Sequence, residues 1–266
     1  MSNESENTRQ TISNIRKMLS QAEKGGVQNT IQNCVTVLQN DPVLADSIRL
    51  NLLSERIDIV KPMGWQRSGP TLTDTDMMYI LRRMEKYGLY SEKRVSAAIR
   101  IVANENHYHP IRDYLNDLKW DGTERISHAL HRFLGAAEDE LTAEALKIFL
   151  LGAIKRVFHP GCKFEMMLCL VGGQGAGKSS FFRLLAIKDE WFSDDLRRMD
   201  DDNVFRKLQG HWIMEMSEMI ATANAKSIEE IKSFLSKQKE TYKIPYETHP
   251  ADRLRQCVFA GTTNRQ

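Results

Sequence analysis

The sequence is poor in the features that mark secreted, membrane-bound or metal-clustered proteins. It has four cysteines in 266 residues, Cys34, Cys162, Cys169 and Cys257, and no C-x-x-C pair. That spacing offers neither a disulfide framework nor a zinc ribbon, and it predicts reduced, packed thiols. The opening MSNESENTRQ lacks the apolar stretch of a secretory signal. No apolar run approaches the length of a membrane span. His107 and His109 have no cysteine or carboxylate at ligand spacing and read as loop residues. A formal net charge of +2 excludes a globally basic nucleic-acid binder, so any such surface must be local. These absences predict a cytoplasmic protein with no membrane association.

What is present centres on LCLVGGQGAGKSSFFRLLA, residues 168–186. It contains the pattern G-x-x-x-x-G-K-[ST], with Gly172, Gly177, Lys178 and Ser179 in the fixed places. An apolar run, 164–171, precedes it and reads as a buried strand. Phe181, Phe182, Leu184 and Leu185 follow at helical spacing. Strand, glycine turn and helix are what a phosphate-binding loop requires. Gly172, Gly173, Gln174, Gly175, Ala176 and Gly177 would wrap backbone N–H groups around the phosphates. Lys178 would meet the β- and γ-phosphates, Ser179 would ligate Mg²⁺, and Ser180 would complete the cradle at the positive helix end. The expected ligands are ATP and Mg²⁺.

Ahead of this loop the sequence reads as helical. Residues 1–28 are polar, with a weak stripe of Ile12, Ile15 and Leu19, and predict a mobile start. Residues 31–65 have helical spacing at Ile31, Val35 and Leu38, then at Leu44, Ile48, Leu52 and Leu53. Thr73 and Ser91 are candidate caps of two further helices, and two more are predicted over 126–134 and 143–158. Strand and helix then alternate. The predicted architecture is therefore an all-α region over 29–160, followed by an α/β P-loop domain over 161–266.

A nucleotide triphosphatase also needs a carboxylate near the loop, for the metal or the attacking water. WIMEMSE supplies Glu215, predicted at the end of a strand beside the loop strand, and Glu218 three residues later as helper or substitute. The run VFAGTTN predicts a strand that delivers Asn264 to the attacking water or γ-phosphate. No N-K-x-D motif points to a GTPase, and no arginine-rich lid points to a small-molecule kinase.

The order Lys178, Glu215, Asn264, with a basic segment before the last, resembles superfamily 3 helicases, and Asn264 matches the sensor-1 position of AAA+ ATPases. The likeness sharpens in HPIRDYLNDLKWDGTERI, PGCKFEMMLCLVGGQGAGKSSFFRLLA, LQGHWIMEMSEM and IKSFLSKQKETYKIPYETHPADRLRQCVFAGTTN. Together these stretches resemble the virulence-associated protein E family, phage- and island-borne ATPases related to primase–helicases. The resemblance spans roughly residues 70–266. It implies an AAA+-like ATPase, working as a ring of identical subunits on single-stranded or forked DNA during replication of a mobile element. In that family an arginine pair follows the sensor asparagine and completes a neighbour's site. Here Arg265 directly follows Asn264, so slow turnover is expected unless Arg197 or Arg198 serves instead.

Between Glu218 and Asn264 lie Lys237, Lys239 and Lys243, with Tyr242 and Tyr246 interleaved. Lysines can follow phosphates and tyrosines can stack on bases. Relatives project a hairpin from this region, so these five are the candidate DNA contacts. Two other functions remain open on the residues alone: a nucleotide-gated assembly protein without efficient turnover, and a P-loop kinase.

Overall fold

A computed structural model describes residues 2–23, 25–196, 204–217, 225–242 and 251–264. The chain divides into two units, Met1–Pro110 and Ile111–Gln266. The division falls well before residue 160, so the helices over 111–158 belong to the same unit as the glycine loop.

The first unit packs α1 (Ser2–Lys17), α2 (Ile31–Asn40), α3 (Asp74–Glu85) and α4 (Glu92–Glu105) around a core that includes Leu38, Ile80, Met84 and Ile99. Its polar start predicts fraying, yet α1 forms, and Ile15 and Leu19 are buried in this core. Thr73 caps α3 in a reciprocal capping box with Asp76. Ser91 precedes α4 but makes no side-chain cap bond.

The all-α expectation fails here. Residues 48–59 form a hairpin of β1 (Ile48–Asn51) and β2 (Arg56–Ile59), in which Ile48 pairs with Ile59 and Leu50 with Ile57. The helical spacing of Leu44, Ile48 and Leu52 competes with an alternating pattern, Ile48 and Leu50 facing Ile57 and Ile59. The alternation prevails because the paired Ile48 and Ile59 join the core and Leu50 and Ile57 pack against it. Glu55 supplies the left-handed turn residue, at φ 53°.

Three helices open the second unit: α5 (Pro110–Asp117), α6 (Ile126–Leu134) and α7 (Glu140–Phe158). Asp139 caps α7 through the Thr142 N–H. A parallel sheet follows, built from β3 (Met167–Val171), β4 (Phe192–Ser193), β5 (Ile213–Ser217) and β8 (Val258–Thr263) in the order β3-β8-β5-β4. This unit is α/β. Helix α8 (Lys178–Leu185) packs Phe182 against Phe149 of α7. The short α9 (Val204–Leu208) and α10 (Ala225–Ser236) belong to a second cluster, with Met214, Met216 and Phe259. Strand residues alternate faces. Met214 and Met216 join that cluster, so Ile213, Glu215 and Ser217 face the other way.

Arg156, fully buried, ties two strand entrances together. It donates to the carbonyl of Cys257, just before β8, at 2.9 Å, and to that of Phe164, just before β3, at 2.8 Å. Between α10 and β8, β6 (Lys239–Tyr242) and β7 (Ala251–Leu254) pair as an antiparallel hairpin. Its root is Arg255, which bonds Glu240 at 2.6 Å and lies over the rings of Phe234 and Phe259. Among the described residues, no helix is long and apolar enough to cross a membrane.

Candidate functional site

Open parallel sheets gather ligand sites beyond the carboxyl ends of their strands. Here β3 runs into residues 172–177 and then into α8. Gly175 and Gly177 have φ of 80° and 81°, a region that L side chains rarely adopt. A Cβ built at Gly172, Gly173 or Gly175 would meet nothing within 4 Å, so these glycines border open space. The cleft in front of them has a volume of about 350 Å³. Its lining includes Gln174, Gly175, Ala176, Ser180, Ser217, Thr262 and Asn264.

Lys178, the first residue of α8, is buried. Its Nζ donates to the carbonyls of Gly172 at 2.7 Å and Gly173 at 2.8 Å, and to Asn264 Oδ1 at 3.0 Å. The loop is also pinned to β8 by the Gly172 N–H, which donates to the Thr263 carbonyl at 3.2 Å.

Glu215 is fully buried and lies in mid-strand rather than at a strand end. Nor does its strand adjoin the loop strand, because β8 lies between β5 and β3. The side chain still reaches the loop. Ser179 donates to Glu215 Oε1 at 2.7 Å, Thr262 at 2.5 Å and Ser217 at 3.1 Å. The other oxygen, Oε2, is buried without a hydrogen-bond partner among the described residues. A buried ionised carboxylate with an unmatched oxygen is costly unless a cation meets it. The donor set, a hydroxyl beside a carboxylate, suits a hard divalent ion such as Mg²⁺.

The expected site residues are therefore drawn together from three elements: Lys178 and Ser179 from α8, Glu215 from β5, and Asn264 from the end of β8. Glu218 lies outside the described residues, as do Arg197, Arg198, Lys243, Tyr246 and Arg265. Sequence reasoning missed Thr262 and Ser217. The available signal was period two. Ser217 is two residues beyond Glu215 on the same face, and Thr262 is its register partner.

Of the candidate DNA contacts, Lys239 opens β6 and pairs with Asp252 across the hairpin. Lys237 stands at the hairpin foot, 3.8 Å from Glu240. Tyr242 closes β6.

No curated protein matches the chain. Among solved structures it resembles the apo C-terminal region of NrS-1. One such structure has 13% identity and a TM-score of 0.47, covering 82% of this chain and 53% of that one. Two others have 12% identity, with TM-scores of 0.43 and 0.44. The chain thus spans about half the length of those structures. A family model, the virulence-associated protein E-like domain, matches residues 115–266. That match takes in the sheet, the glycine loop and every residue of the cleft, and more than half of the sequence: the chain belongs to the virulence-associated protein E-like family.

Proposed function

We propose that the second unit binds ATP with Mg²⁺ and hydrolyses it, as an AAA+-like, superfamily 3 helicase-type ATPase acting on DNA in the replication of a mobile element. The observation that carries this reading is the convergence of Lys178, Ser179, Glu215 and Asn264 at the mouth of one glycine loop. Four residues of the chemistry phosphoryl transfer needs meet there, although they are spread over the sequence from 178 to 264.

Each residue has a part. The N–H groups of 173–180 and the positive end of α8 receive the phosphates. Lys178 leaves the loop carbonyls and turns to the β- and γ-phosphates, where its charge is worth more than at neutral carbonyls. Ser179 and Glu215 Oε2 hold Mg²⁺. When bound, that ion neutralises charge developing on the phosphate oxygens. Asn264, released from Lys178, orients water or the γ-phosphate. Transfer to water breaks the bond from the γ-phosphorus to the bridging oxygen and yields ADP and phosphate. The β6–β7 hairpin brings Lys239 and Tyr242 to a DNA strand with Lys237 at its foot, Lys243 and Tyr246 are further candidate contacts, and a ring of identical subunits encloses that strand.

The test compares wild type with Glu215→Gln. Wild type should hydrolyse ATP with Mg²⁺ and be stimulated by single-stranded DNA. The variant should keep nucleotide binding and lose hydrolysis by at least about two orders of magnitude. Binding without any turnover would favour a nucleotide-gated assembly role. Phosphate transfer to a nucleoside rather than to water would favour a kinase.

A further inference from the structure

We infer that Thr262, assisted by Ser217, is a positioning residue that fixes the Glu215 carboxylate so that Oε2 alone is offered to the divalent cation. This rests on the nucleotide-site reading above and extends it to residues that reading does not use.

The asymmetry of the carboxylate carries the argument. Oε1 accepts from three hydroxyls, those of Ser179, Ser217 and Thr262, whereas Oε2 accepts from none among the described residues. A carboxylate oxygen has about two lone-pair sites, so three donors saturate it. The three donors are not equivalent. Ser179 belongs to α8 and is the hydroxyl that turns to the cation. Ser217 and Thr262 belong to the sheet. They are register partners at the carboxyl ends of β5 and β8, on the face that carries Glu215. When Ser179 leaves, these two remain. The Thr262 bond is the shortest of the three, and its hydroxyl belongs to a residue only 5% exposed.

The terminal carboxyl torsion of glutamate is soft and roughly two-fold. Without a fixed Oε1 the group can rotate and present either oxygen, or tilt both away from Ser179. Partners that orient a metal-ligating carboxylate are typically worth about 10- to 100-fold in metal affinity or activity. Thr262 is therefore expected to set the Mg²⁺ requirement of the site through Glu215.

The test is the Mg²⁺ dependence of binding a non-hydrolysable ATP analogue, followed by calorimetry, together with ATPase assays over a Mg²⁺ series. Thr262→Val keeps the shape and removes the hydroxyl. It should raise the Mg²⁺ concentration for half-maximal binding about 10- to 100-fold while leaving metal-free analogue affinity unchanged. Thr262→Ser should restore wild-type behaviour. Ser217→Ala should shift the Mg²⁺ requirement in the same direction by a smaller factor, and it keeps the inference open to refutation if Thr262→Val does not fold. Suppose wild type binds with Mg²⁺ and Glu215→Gln still binds but needs a higher Mg²⁺ concentration to do so. If Thr262→Val and Ser217→Ala then match wild type at every Mg²⁺ concentration, the inference is overturned and the site reading stands. Failure of wild type to bind the analogue at all would overturn both.

Discussion

The Lys178 ammonium lies 3.0 Å from the Asn264 carboxamide oxygen, joining two residues 86 positions apart in sequence. Two loop carbonyls complete its set of three acceptors, which is all an ammonium can use. On the proposed function, the lysine must leave these carbonyls to meet a phosphate. In that reading, the Asn264 carboxamide oxygen gives up its Lys178 bond when the lysine turns to phosphate. Asn264→Ala should leave ATP binding largely intact, because Lys178 and the loop N–H groups that receive the phosphates are all retained. Hydrolysis should fall by about 10²–10³, the usual loss when one oriented polar group is removed from a transition state. Steady-state assays beside calorimetry separate the two effects, and equal loss of binding and turnover would contradict the assignment.

The first unit holds a pH-dependent anchor. Burial alone would raise the Asp76 carboxyl, but hydrogen bonds from Arg67, Trp65 and Thr73 outweigh it and hold the group at about 2. A depressed carboxylate contributes stability above its unfolded value, near 3.9, and loses it as pH falls toward the folded value. Asp76→Asn should therefore lose about 2 kcal/mol at neutral pH. The gap to wild type should close between about pH 4 and pH 2. Urea titrations at several pH values measure it, and a pH-independent gap would show that shape, not charge, is what Asp76 supplies.

The hairpin root gives a prediction about stability. Arg255 and Glu240 are almost fully buried, at 1% and 8% side-chain exposure, with the guanidinium against two phenylalanine rings that also touch each other. Glu240→Ala strands a buried cation and should cost about 3–5 kcal/mol. Replacing the pair together, by Glu240→Leu with Arg255→Met, should cost less than either change alone, because no charge is left without a partner. Denaturation midpoints of the three variants decide this. A double variant less stable than both single ones would contradict it.

Legibility in the sequence varies by element. Residues 164–186 can be read directly, because a phosphate-type loop needs glycines, a lysine and flanking strand and helix at fixed spacing. Glu215 is legible as a carboxylate in an apolar run, and Asn264 as a polar end to a strand. Strand order is not legible. That β8 separates β5 from β3 depends on pairing across the sheet, and it is why Glu215 reaches Ser179 from mid-strand. The role of Thr262 is hidden for the same reason, since its partner Ser217 is set by register. The hairpin at 48–59 is hidden because Leu44, Ile48 and Leu52 also fit a helix; burial of the Ile48–Ile59 pair decides the outcome.

The hairpin lysines allow a salt test. Lys239 pairs with Asp252, and Lys237 lies near Glu240, so each would exchange a protein partner for a phosphate on binding. Replacing Lys237, Lys239 and Lys243 together by alanine should weaken single-stranded DNA binding and flatten its salt dependence. The slope of log affinity against log salt should drop by about 0.7 for each phosphate no longer neutralised. Unchanged affinity and slope would reduce the segment to a solvated loop.

Calorimetric titration of Mg²⁺-ATP into wild type and Lys178→Ala tests the central claim most directly. The account predicts saturable binding by wild type, dependent on Mg²⁺. For the variant it predicts a loss of roughly 1.5–3 kcal/mol, about ten- to a hundred-fold or more in Kd, because a charge-assisted bond to phosphate is gone. Equal affinity in the two proteins, or no binding by either, would contradict it.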